Sequence, residues 1–86
     1  MFYDDVTCIL NNIIGHTLDN DIKFQCKKLL KKISLKKFLT LDENSQKKEI
    51  FNLMSDVRYG YDTVKSKKII ATDIIENIIR SKINIG

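Results

Sequence analysis

Residues 21–38 (DIKFQCKKLLKKISLKKF) carry the pattern that most restricts the fold of this chain. Apolar side chains recur there at the spacing of one helix face, namely Ile22, Cys26, Leu29, Leu30 and Ile33. At about 100° per residue, the lysines at 27, 28, 31 and 32 then point the opposite way. The pattern predicts a helix with one side in a core and a cationic side in solvent.

Three further segments have apolar residues at helical spacing, so the sequence predicts an all-α fold. We expect a single domain, residues 1–86, built as a small bundle of about four helices that cover approximately 4–14, 20–38, 43–64 and 70–83. No Pro interrupts them, and Thr17 or Asp19 is available to cap the second helix. Residues 33–41 stay open between helix, loop and strand, because ISLKKFLTL contains some alternation of apolar and polar side chains.

The charge of the chain is concentrated in one segment. Residues 1–20 contain three Asp and no Lys or Arg, whereas residues 21–41 contain seven Lys against one Asp. Most of the positive field therefore comes from six of these lysines, which we call the lysine face: Lys27, Lys28, Lys31, Lys32, Lys36 and Lys37. Such a field favours nucleic acid, an acidic protein surface or lipid headgroups, and the alternative is a solvated face that keeps the protein soluble.

The residues offer little material for catalysis or metal binding. The chain has one histidine, His16, and two separated cysteines, and it contains no H-E-x-x-H, C-x-x-C or glycine-rich phosphate loop. Cys26 lies on the apolar stripe, where a buried cysteine acts as a small hydrophobe. We therefore predict a protein that is not an enzyme and that holds no cofactor and no metal.

Composition also bears on the compartment. Two cysteines and an acidic start, MFYDDVTC, are untypical of a secreted scaffold or a signal peptide, so we expect a cytoplasmic protein, in the producing cell or in a host. No apolar run is long enough for membrane insertion. The bias toward Ile, Lys and Asn is typical of A/T-rich genomes, including those of some phages and viruses.

The predicted function is binding of a macromolecule without catalysis. We expect the chain to modulate or inhibit a macromolecular partner through the lysine face, the isoleucine-rich fourth helix or both, and we favour a protein as that partner. The alternative is electrostatic binding of RNA or DNA, in which the lysines follow phosphates and Arg58 and Tyr59 stack against an unpaired base.

The fourth helix also predicts self-association. Its isoleucines and Ala71 cover close to half of the helix circumference, which is wider than a single core-facing stripe needs. We therefore predict a homo-oligomer whose interface contains Ile74, Ile75, Ile78 and Ile79.

Overall fold

The second helix of the chain is the one on which two others pack. The computed structural model describes residues 2–59 and 67–83, without the side chains of 56–59, 67 and 68. Within those ranges lie five helices: α1 (Phe2–His16), α2 (Asn20–Ile33), α3 (Lys36–Leu39), α4 (Glu43–Tyr59) and α5 (Lys67–Lys82). Helices α1 and α5 both pack along α2, and α4 contacts α5 and α1. The described residues contain no strand, so the prediction of a small all-α bundle is confirmed.

One hydrophobic core joins these helices. Its buried side chains are Phe2, Val6 and Leu10 from α1, Cys26, Leu29 and Ile33 from α2, Phe38 from α3, Ile50 and Met54 from α4, and Ala71, Ile75 and Ile79 from α5. The buried apolar residues of α2 all belong to the predicted stripe, with Ile22 and Leu30 half-buried at its edges, and Gln25 is buried as well. The orientation predicted for this helix is therefore confirmed.

Helix α2 begins where the sequence predicts and ends earlier. The Asp19 carboxylate accepts hydrogen bonds from the backbone N–H groups of Asp21 (2.8 Å) and Ile22 (3.2 Å), and so caps the helix. The prediction of one unbroken helix over 20–38 is wrong, because Leu35 has extended backbone (φ −68°, ψ 143°) and the chain turns there.

The position of Phe38 supplies a physical reason for this break. In a straight helix Phe38 would lie about 160° around the axis from Ile22, on the solvent side. The turn at Ser34 and Leu35 instead brings Phe38 into the core, where 4% of it is exposed. The side-chain amide of Gln46 in α4 then donates a hydrogen bond to the Phe38 carbonyl (3.3 Å), which ties the short α3 to α4.

The other helix limits differ from the predicted ones by a few residues. Helix α1 extends over 2–16, and α5 begins at Lys67, three residues before the predicted start. The predicted helix over 43–64 is described as far as Tyr59, and residues 60–64 lie outside the described ranges. At its start, Asp42 accepts a hydrogen bond from the Ser45 N–H (2.7 Å). Hydrogen bonds from the side chain and the backbone of Ser45 lower the pKa of Asp42.

Contacts between α4 and α5 set the orientation of the last helix. The Arg80 guanidinium lies 4.2 Å from the centre of the Phe51 ring, a cation–π contact, and its Nε is 3.9 Å from a Glu76 carboxylate oxygen. On the side of α5 that faces the core, Ile75 and Ile79 are completely buried. The opposite edge of α5 is consequently turned toward solvent.

Candidate functional site

The lysine face lies on the solvent side of α2 and α3. Lys27, Lys31, Lys36 and Lys37 are exposed, while the two remaining lysines, at 28 and 32, are half-buried. Within the described part of the chain, none of the six forms a salt bridge. No carboxylate of the described residues therefore pairs with any of these six positive charges.

The spacing of these lysines makes them repel one another. Lys27 and Lys31 are four residues apart, as are Lys28 and Lys32, and each such like-charge pair destabilises a helix by about 0.2–0.5 kcal/mol. Lys31 and Lys32 lie in the last turn of α2, where the helix dipole favours positive charge and partly offsets the repulsion. An anionic partner placed over this face would relieve the remaining repulsion.

Three apolar side chains within the same segment, residues 24–39, are also exposed. Phe24 is 56% exposed, Leu35 is 57% exposed and Leu39 is 47% exposed. Phe24 precedes Lys28 by four residues and Lys31 by seven, so the aromatic ring lies on the same side of α2 as these lysines. The surface thus combines positive charge with apolar area that water covers in the free protein.

Phe24 was not among the residues predicted to bind a partner, although the sequence contains a signal for it. It lies about 200° around the helix axis from Ile22, well outside the apolar stripe. An aromatic residue on the charged side of an otherwise regular amphipathic helix is out of place for core packing. In the structure Phe24 is exposed.

The other predicted site residues have different outcomes. Arg58 and Tyr59 are in the last turn of α4, but their side chains lie outside the described part of the structure. Ile75 and Ile79 are fully buried in the core of their own chain, so we remove them from the predicted oligomer interface. Of the predicted interface, Ile74 (39% exposed) and the half-buried Ile78 remain at the surface.

A groove lies between α1 and α5, away from the lysine face. It has a volume of about 550 Å³, and Ile22 of α2 also lines it. Its apolar lining residues are Ile9, Ile13, Ile22, Ile74 and Ile78, and its polar ones are Asn12, His16, Thr17 and Lys82. Two further hollows continue it, one beside Asp19 and Asp21 and the other beside Asp5 and Cys8. We refer to these three together as the α1–α5 groove.

The titratable side chains near the core have ordinary structural roles. Burial raises the pKa of the Cys26 thiol from 9.0 to about 11, so this cysteine stays protonated near neutral pH.

The described residues include no group of three or more His, Cys, Asp or Glu side chains that could hold a metal ion. None of the helices in these ranges is both long and apolar enough to cross a bilayer.

The fold and its exposed residues define a small helical protein with one cationic, partly apolar face and one separate apolar groove. Comparison with protein-family models, with curated proteins and with solved structures finds no match for this chain. Any argument about its function therefore depends on its own surfaces.

Proposed function

We propose that this protein is a non-catalytic binding protein that modulates or inhibits a protein partner by docking its lysine face on an acidic surface. The observation that carries this proposal is the exposed Phe24 ring among lysines that have no salt bridge within the described part of the chain. Complementary charge accelerates encounter and orients two proteins, whereas a buried aromatic residue supplies a large share of the binding energy. This surface offers both.

The exposed leucines favour a protein over a nucleic acid. Leu35 and Leu39 gain free energy only when another apolar surface covers them, and a phosphate backbone has none to offer. Arginine, the residue that best reads base edges, occurs only twice in the whole chain. An acidic protein surface with an apolar centre would complement both the charges of the lysine face and the exposed apolar side chains near it.

A second candidate partner is single-stranded RNA or DNA. The observation that favours it is again Phe24, because an exposed aromatic ring flanked by lysines can stack on an unpaired base while the lysines contact phosphates. The salt dependence of binding distinguishes this candidate. For a single strand, log affinity falls with log salt by about 0.7 for each phosphate that is neutralised.

We also propose a reducing, cytoplasm-like location, either in the producing cell or in a host. Support comes from the two cysteines, which are both unpaired: Cys8 is exposed and Cys26 is buried. An exposed free thiol such as Cys8 persists most easily where the surrounding pool of thiols is reduced.

The test compares two variants with equal changes in charge. The face variant carries Lys27→Gln, Lys28→Gln and Lys31→Gln, and the control variant carries the same substitution at residues 23, 47 and 48. Each is used as bait in a native lysate, with and without nuclease. We expect wild type and control to capture the same proteins after nuclease treatment, and the face variant to lose them.

Two results would contradict the proposal. Undiminished capture by the face variant would show that these lysines are only solvated. Capture that disappears with nuclease, together with a salt slope near −0.7 per phosphate contact on a single-stranded oligonucleotide, would assign the face to nucleic acid instead.

A further inference from the structure

The edge of α5 that lines the α1–α5 groove exposes a row of isoleucines. Ile70 is 49% exposed and Ile74 is 39% exposed, and Ile78 follows four residues later, half-buried. Residues four apart lie on the same side of a helix, so these side chains form one apolar ridge. Lys82 continues the same spacing and lines the groove beside Ile78.

The two ends of this ridge differ in charge. At the Ile70 end the groove is lined by Asp19 and Asp21, and at the other end by Lys82 and Asp5. Residues 70 and 82 are about 18 Å apart along the helix axis, at 1.5 Å per residue. Lys82 forms no salt bridge with the described residues of its own chain.

We propose that the α1–α5 groove receives α5 of a second copy of this chain, in a symmetric dimer with the two α5 helices antiparallel. Residues 74 and 78 of one copy then lie against those of the other, and Lys82 of each copy lies beside Asp19 and Asp21 of its partner. A two-fold axis uses the same surface on both copies and closes the assembly at two.

Charge complementarity selects this occupant and this orientation. A parallel pair of helices would place Asp19 and Asp21 of the two copies against each other, which is repulsive, and would set Lys82 and Asp5 against the same two residues, which together carry no net charge. The antiparallel pair instead separates the aspartates of the two copies, places each Lys82 beside Asp19 and Asp21 of the other copy, and opposes the two helix dipoles favourably. None of the six residues of the lysine face lines the groove, so this dimer is independent of the proposed function.

The first experiment tests the apolar ridge. Sedimentation equilibrium of the full chain over a concentration series gives the dimer dissociation constant for wild type, for Ile74→Glu and for the control Leu39→Glu. The control residue has similar exposure and lies on α3, outside the groove. We expect wild type and Leu39→Glu to dimerise and Ile74→Glu to be monomeric, with helical circular dichroism unchanged in all three.

The second experiment tests the orientation by exchanging charge. Lys82→Glu and Asp21→Lys each turn the contact between residues 82 and 21 from attractive to repulsive, twice per dimer, so each alone should weaken dimerisation by roughly tenfold. An equimolar mixture restores an opposite-charge pair between residues 82 and 21 at both ends of the mixed dimer and should associate more tightly than either variant alone. A monomeric wild type at every concentration, dissociation by Leu39→Glu, or a mixture no stronger than its components would overturn the proposal.

Discussion

Two adjacent isoleucines of α5 occupy different environments, so their separate replacement by alanine tests which side of this helix faces the core. Ile75 is fully buried, whereas Ile74 is 39% exposed. Removing three carbons from a fully buried isoleucine loses about 2.4 kcal/mol of transfer free energy, at roughly 0.8 kcal/mol per carbon. The cavity left by Ile75→Ala raises the expected loss of stability to about 3–5 kcal/mol.

The expected loss for Ile74→Ala is smaller for two reasons. Only about 60% of the transfer free energy applies, roughly 1.5 kcal/mol, because the rest of the residue already contacts water. Solvent also fills the space that the shortened side chain leaves, so no cavity forms. The two variants should therefore differ by at least about 1.5 kcal/mol, although they are neighbours in one helix and lose the same atoms.

Thermal unfolding monitored by helical circular dichroism measures the difference, at a concentration where sedimentation shows a single copy. In a domain of this size 1 kcal/mol corresponds to about 4–8 °C in Tm. A loss of 3 kcal/mol then lowers the Tm by about 12–24 °C, and a loss of 1.5 kcal/mol lowers it by about 6–12 °C. Equal decreases, or a larger decrease for Ile74→Ala, would refute the orientation of α5 and with it the exposed ridge.

Three further predictions concern single side chains, and urea unfolding checks each of them. Asp19→Ala removes the cap of α2 and should lower the free energy of unfolding by about 1 kcal/mol, whereas Asp19→Asn should retain most of it. The Gln25 amide nitrogen is buried without a hydrogen-bond partner among the described residues, so Gln25→Met should raise the free energy of unfolding by about 1 kcal/mol. Because burial raises the pKa of Cys26 from 9.0 to about 11, the unfolded chain loses the thiol proton first as pH rises. The stabilisation from the neutral thiol is therefore complete below pH 9. Between pH 9 and about 11 the free energy of unfolding should fall by about 1.4 kcal/mol per pH unit. Cys26→Val should remove this component of the pH dependence.

Much of the local structure follows from spacing in the sequence. The stripe on α2 identifies Cys26, Leu29 and Ile33 as buried because helical geometry alone places them on one side, and the structure confirms it. The cap of α2 is predictable as Thr17 or Asp19, because a short side-chain oxygen before an apolar-periodic segment can accept the first free N–H groups of a helix, and the structure selects Asp19. Neither conclusion requires knowledge of any other helix.

The break between α2 and α3 lies beyond such reasoning. Residues 33–41 have no strong propensity for one structure, and a helix that continued through Ser34 would satisfy its own backbone. The chain turns because burial of Phe38 in the core, together with the bond from Gln46 to its carbonyl, outweighs the hydrogen bonds of a longer helix. The balance depends on how α3 packs against α4, which no pattern within residues 33–41 encodes.

Of the two candidate surfaces, the lysine face is predictable from the sequence and the α1–α5 groove is not. The apolar side and the cationic side of α2 are already readable in the chain, because both follow from the angle between successive residues of one helix. Packing between helices determines which isoleucines of α5 are core and which are surface, since an apolar arc of nearly half the circumference can face inward in several rotations. Packing against α2 and α4 selects one rotation, buries Ile75 and Ile79, and leaves Ile70 and Ile74 beside the groove. The groove itself arises from the separation of α1 and α5, a distance that no local pattern encodes.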